Sequence, residues 1–197
     1  MTLAAEKLLD TPQPHRFSRD EYYLMFDTGM FQDRRVELID GEIIDMPAMK
    51  DLHAVAVGLV QRSLQLVFAN AWVRCQLPVS FIEESEPEPD FSVVAGDPRD
   101  YKGKGHPREA LLIVEIADST LRFDRTKKAA VYARAGIADY WIVNLVDNCV
   151  EVFRGPVEDS SATLGWRYRS ISVMKPGESV APLAKPEAWI EVKDLLP

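Results

Sequence analysis

One carboxylate set inside an apolar run constrains this chain more than any other feature. Leu111-Leu112-Ile113-Val114 leads into Glu115 and then Ile116-Ala117, and such a run reads as a strand buried on both faces. An ionised carboxylate is costly to bury unless a cation or several donors meet it, so Glu115 demands a partner. Arg125 to Arg134 reads as a helix, with Asp124 before it as N-cap and Gly136 terminating it. Asp124, Lys128 and Tyr132 recur at i, i+4 and i+8 and so share one helix face. A second apolar strand, Tyr140 to Val143, follows at once. Strand, helix, strand, with an acid on the first and a lysine on the second, marks a candidate site.

The flanking sequence supplies the rest of an α/β domain. Ser18 and Glu21 form a capping-box pattern that opens a helix from Arg19 to about Thr28. Val36 to Asp45 reads as a hairpin turning at Asp40-Gly41. From Asp51 to Asn70 apolar residues recur at helical spacing, with His53 in the first turn. Trp72 to Phe81 reads as a strand interrupted at Pro78, Glu83 to Pro89 as an acidic loop, and Asp90 to Val94 as another strand. Residues 96–109 read as a mobile, base-rich loop. Further strands are expected at Cys149–Phe153, Trp166–Val173 and near Trp189–Val192. A chain of 197 residues suits one domain. The expected organisation is an N-terminal arm over residues 1–17 and a single domain over 18–197, with a mixed central sheet flanked by helices and extra β-hairpins.

Four charged residues stand where a merely solvated side chain is least expected. Asp90 heads one apolar strand, Glu115 is embedded in the next, Lys128 is on the following helix, and Glu37 lies between Val36 and Leu38 in the first hairpin. Hard divalent cations such as Mg²⁺ take oxygen ligands, and one or two carboxylates with waters and a phosphate suffice. Asp90 and Glu115, on neighbouring strands, would bind such an ion, and Lys128 at its edge would hold the water or a phosphate oxygen.

Taken together, Pro89-Asp90, Glu115, Asp124, Lys128, Tyr132 and Tyr140-Trp141, with Glu37, Asp40-Gly41 and His53, resemble the Uma-type restriction-endonuclease-like family of the PD-(D/E)-x-K nuclease superfamily. The resemblance spans roughly residues 18–155, most of a domain of this size. It implies a restriction-endonuclease-like α/β core, Mg²⁺ or Mn²⁺ as cofactor, and phosphodiester hydrolysis in DNA. By position, Asp90 and Glu115 match the metal-binding acids and Glu37 the additional acid. The superfamily's usual lysine position, two residues after the second acid, is Ala117 here, which makes Lys128 its counterpart on the helix. Asp118 stands where many relatives carry serine. Asp124 is read as a helix cap ahead of a ligand, His53 as a residue at the site's edge, and Tyr132, Tyr140 and Trp141 as core.

Charge and motif content narrow the alternatives. A net charge of −8 argues against a sequence-wide basic surface for nucleic acid, yet Arg99 to Arg134 holds nine Lys or Arg against five acids. There is no Gly-x-Ser-x-Gly, glycine-rich phosphate loop or Cys/His zinc spacing. Cys75 and Cys149 read as reduced core thiols. No apolar run reaches a membrane span and no signal peptide is evident, so a cytoplasmic protein is expected. The leading reading is a metal-dependent DNA endonuclease, a homodimer where both strands are cut because one site cuts one strand. The alternative is a catalytically inactive nuclease-fold protein that binds nucleic acid or a protein partner, suggested by Ala117 and the acidic balance.

Overall fold

The computed structural model of the chain describes residues 12–197; the expected N-terminal arm falls mostly on residues 1–11, outside the described residues. Local chemistry places the early elements. Helix α1 (Arg19–Asp27) opens on a complete capping box, in which Ser18 Oγ accepts from the Glu21 amide and the Glu21 carboxylate accepts from the Ser18 amide. Strands β1 (Val36–Ile39) and β2 (Glu42–Asp45) pair antiparallel across Asp40-Gly41, both at positive φ, the turn geometry that matches strand twist. The Phe17 amide bonds the Gly41 carbonyl at 2.9 Å and the Arg16 guanidinium bonds Asp40, so this turn is tied to the chain before α1.

Helix α2 (Asp51–Val67) is followed by β3 (Ala71–Cys75), β4 (Phe91–Ala95) and β5 (Leu112–Ala117). The strand expected to run on to Phe81 ends at Cys75. Gln76 adopts a left-handed backbone, φ 49°, which breaks the pleat and turns its side chain toward Asp90. The acidic loop Glu83–Pro89 is largely packed inward. Ser85 and Glu86 are buried, and the Glu86 amide bonds the Leu38 carbonyl at 2.8 Å, tying the hairpin to this loop.

The helix after β5 differs from expectation at its start. It begins with α3 (Leu121–Phe123), continues through a π-helical turn at Asp124–Lys128 and ends as α4 (Ala129–Arg134). Asp124, expected as N-cap, has helical angles (φ −67°, ψ −40°) and Thr120 occupies the cap position. Strands β6 (Asp139–Asn144), β7 (Cys149–Glu158) and β8 (Trp166–Met174) complete a six-stranded sheet ordered β3-β4-β5-β6-β7-β8. Only β5 and β6, joined by the helical crossover, are parallel. The short pair β9 (Ser179–Val180) and β10 (Ile190–Glu191) forms a separate hairpin sheet.

This is an α/β sandwich with the sheet in the middle. On one face Ala56, Val60 and Leu64 of α2 pack with Val114, Ile116, Trp141 and Val143, and Val180 and Ile190 join them. On the other, Tyr132 and Ala133 of α4 pack with Ile113, Ala117, Tyr140 and Ile142. Glu115 has the parity of Ile113 and Ala117, so it points to the face covered by the crossover helix. Phe91 pairs with Val114, which sets Asp90 opposite Glu115. No helix among the described residues is long and apolar enough to cross a membrane.

Gly41 has φ 73°, and a Cβ built on it would lie 2.6 Å from Arg16 Cβ and 3.0 Å from Arg16 Cα. Gly41→Ala is therefore expected to lower stability by about 1–3 kcal/mol through strain and the collision. Urea denaturation checks this, and an unchanged midpoint would contradict the turn described.

Candidate active site

Four stretches of chain deliver carboxylates and one ammonium to a single small cavity of about 40 Å³, room for an ion or a water or two. β1 contributes Glu37, the start of β4 Asp90, the middle of β5 Glu115, and the π-helical turn Asp124 and Lys128. All five are buried. The spacing argument places Asp124, Lys128 and Tyr132 on one face, and all three are turned inward.

Lys128 is the centre of the cluster. Its Nζ donates to Glu115 Oε1 at 2.9 Å and to Glu37 Oε1 at 3.4 Å. Glu37 Oε2 lies 3.1 Å from the same nitrogen as an ion pair without hydrogen-bond alignment, and no other donor reaches that buried oxygen. Glu115 also accepts from the Tyr132 hydroxyl at 2.7 Å and, through Oε2, from the Asp90 amide at 3.3 Å. Asp90 accepts from His53 Nε2 at 3.0 Å, the Gln76 amide at 3.1 Å and the Ile116 amide at 2.8 Å. Because a carboxylate only accepts, His53 carries its proton on Nε2 in this pair. Asp124 accepts from Thr120 Oγ1 at 2.6 Å.

The electrostatics follow from one ammonium facing several carboxylates in a dry site. Burial raises Glu115 to about 8, against the attraction of Lys128, and Asp124, Asp90 and Glu37 push the same way as burial. Asp124 is raised to about 6, again by burial first. Burial alone would drive Lys128 toward its neutral form, but Glu115, Glu37 and Asp124 outweigh it and hold the ammonium protonated. Asp90 also meets a burial cost, which the hydrogen bond and electrostatic attraction of His53 and the bonds from Ile116 and Gln76 overcome, leaving it below the usual range.

The donor set fits a hard divalent cation. An ionised carboxylate offers about four lone-pair sites, and Asp90 and Glu115 each use three in the bonds above, leaving one apiece on Oδ2 and Oε2. A crowd of buried carboxylates is the other half of the fit, since a cation would offset the burial cost, and after it the mutual repulsion, that raise Glu115 and Asp124. Among the described residues no three His, Cys, Asp or Glu side chains are grouped as a ready ligand set, so water or substrate oxygens would have to complete the shell.

Sequence reasoning brought Glu37, Asp90, Glu115, Lys128 and His53 to notice, and the structure brings all five together. Tyr132 was read as core alone; its burial is as expected, but its hydroxyl serves Glu115. Gln76 and Glu88 were missed. Gln76 reaches Asp90 through its left-handed backbone, and Glu88, which lines the same cavity, lay inside a stretch read as an acidic loop. A signal for Glu88 existed in its position one residue before Pro89-Asp90.

The chain matches the family model Uma2, described as "Putative restriction endonuclease", over residues 19–193. Its fold is similar to a crystal structure from Anabaena variabilis ATCC 29413 described as a "putative nuclease belonging to DUF820". The TM-score is 0.64 at 18% identity, covering 83% of this chain and 90% of that one. No curated protein matches the chain.

Removing the shared ammonium isolates two buried carboxylates. Lys128→Met is expected to destabilise the metal-free protein by about 3–5 kcal/mol. Adding Glu115→Gln, which removes one of the stranded charges, should recover part of the loss. Denaturation of the single and double variants decides it; an additive double variant would show that the pair is not coupled.

Proposed function

The chain belongs to the Uma2 family, and from that membership we propose that it is a Mg²⁺- or Mn²⁺-dependent endonuclease that hydrolyses phosphodiester bonds in DNA. The observation that carries this reading is the convergence of Glu37, Asp90, Glu115 and Lys128, from four separate elements, on one cavity. Fold likeness alone would not support it, because one fold hosts many activities.

Asp90 and Glu115 would hold the metal through the oxygens left free by their protein hydrogen bonds. When bound, such an ion lowers the pKa of a coordinated water and offsets charge on the phosphate. The side chains around it have distinct tasks. His53, Gln76 and the Ile116 amide fix the Asp90 carboxylate and keep it ionised. Tyr132 and the Asp90 amide orient Glu115, whose proton affinity burial has raised and which a bound cation would favour in its ionised form. Lys128, locked in its charged state by Glu37 and Glu115, lends positive charge to the phosphate as a fifth oxygen approaches phosphorus. Glu37 acts through Lys128, holding the ammonium on the cavity side of the sheet. Hydrolysis adds water across one P–O ester bond, so one site cuts one strand, and cutting both strands would call for a homodimer.

A second reading, a nuclease-fold protein that binds without cutting, draws on one observation. Lys128 already donates to two internal carboxylates, and Ala117 leaves the sheet without a lysine of its own. Divalent-cation binding separates the two readings.

Supercoiled DNA incubated with the protein in Mn²⁺ should be nicked or linearised, and both chelator and Asp90→Ala should abolish this by a factor of at least about 100. Calorimetry should show Mn²⁺ binding to the native chain and none to Asp90→Ala. Full cleavage by Asp90→Ala would overturn the site; no cleavage together with no Mn²⁺ binding would favour the non-catalytic reading.

A further inference from the structure

Next to the acid–lysine cavity lies a second one of about 350 Å³, walled by α1 on one side and by Pro78, Glu86 and Glu88 on the other. Two aromatic rings face it partly in solvent, Tyr23 at 37% and Phe26 at 41% exposure. Neither is loose. The Tyr23 hydroxyl donates to Glu86 at 2.7 Å, and Phe26 is wedged edge-on against Tyr22 at 5.0 Å and Phe31 at 5.2 Å between ring centres. Rings already fixed give up little freedom when something stacks on them.

The polar wall is selective. Both oxygens of Glu86 are consumed by Arg19, Tyr23 and Ser80. Glu88 is different: among the described residues it meets only Arg35, at 4.0 Å, and it lines both cavities. It is an acceptor without a donor on the wall shared with the candidate active site. Such a wall repels a phosphate and welcomes an N–H edge, as when a carboxylate accepts from the exocyclic amine of cytosine. Cations are found instead on the loop at its rim. Lys102, Lys104 and Arg108 are exposed and without ion pairs among the described residues, on the loop that brings His106 to the rim.

We propose that this second cavity receives an unpaired, amino-bearing nucleobase of the DNA strand being cut. The base stacks on Phe26 and Tyr23 and donates to Glu88, while Lys102, Lys104 and Arg108 take the phosphates beside it. A base inside a duplex cannot enter without leaving the stack, so the substrate class is single-stranded or locally opened DNA. The inference rests on the nuclease reading for its placement beside the scissile bond.

The test is fluorescence anisotropy with chelator present, using thymine oligonucleotides that carry one central cytosine, one thymine or one abasic residue, and a blunt duplex. Native protein should bind the cytosine probe more tightly than the abasic one. Phe26→Ala should weaken the cytosine probe by about 5–100-fold, the range of one lost stacking contact, and leave the duplex unchanged. Phe26→Trp should restore binding, which separates stacking from misfolding, and Glu88→Gln should erase the preference for cytosine over thymine. Equal affinity for cytosine and abasic probes, or native affinity in Phe26→Ala, overturns the pocket. If that happens while Mn²⁺-dependent cleavage persists, the nuclease reading stands without it. Base-dependent binding in a protein that neither cuts nor binds Mn²⁺ would keep the pocket and overturn catalysis.

Discussion

One ammonium shared by two carboxylates is the interaction on which the rest of this structure depends. Lys128 is 1% exposed and Glu37 and Glu115 no more than 4%, so each charge is tolerable only because the others are there. The three come from a hairpin strand, a sheet strand and a crossover helix, and their contact fixes those elements relative to one another. A well-packed apolar trio would hold the layers at least as firmly. The retention of charge at the end of the sheet, with Asp90 and Asp124 around the same cavity, is therefore an argument for chemistry before stability.

The helix that carries Lys128 is shaped for the same end. A regular α-helix beginning at Asp124 would leave that carboxylate outside as a cap. Here the helix starts one turn earlier, and the π-helical turn at Asp124–Lys128 brings acid and lysine inward together before α-helical winding resumes for Tyr132. Single π turns of this kind recur at functional sites because they re-aim side chains at little cost to the flanking helix. Thr120, freed from capping an amide, uses its hydroxyl on Asp124.

How much of this the sequence discloses depends on the range of the signal. The capping box at Ser18, the turn at Asp40-Gly41 and the apolar runs of β5 and β6 are local, and each element stands where its residues indicate. Glu115 and Lys128 were each legible as site residues, an acid embedded in an apolar run and a lysine on the following helix, but their direct pairing is disclosed only by the fold. What resisted reading depends on tertiary contact. Nothing in Trp72–Phe81 announces that Gln76 will turn left-handed and cut the strand short. Glu83–Pro89 has the composition of a solvated loop, yet Glu86 is buried because Arg19, Tyr23 and Ser80, distant or turned away in sequence, converge on it.

The absence of a lysine at position 117 has a packing explanation. Ala117 lies on the same face of β5 as Glu115 and packs into the cluster formed with Tyr132, Ala133 and Ala129 of the crossover helix. A long side chain there would displace the helix that now supplies the cation. In this chain the helix closes down on a small residue and delivers the lysine from its π-helical turn. The consequence is a cation held by three hydrogen-bonding or ion-pairing oxygens and protected from solvent. Its charge is set by the fold and does not wait on substrate, and such preorganisation is what a site must have if it is to act on charge that develops in a transition state.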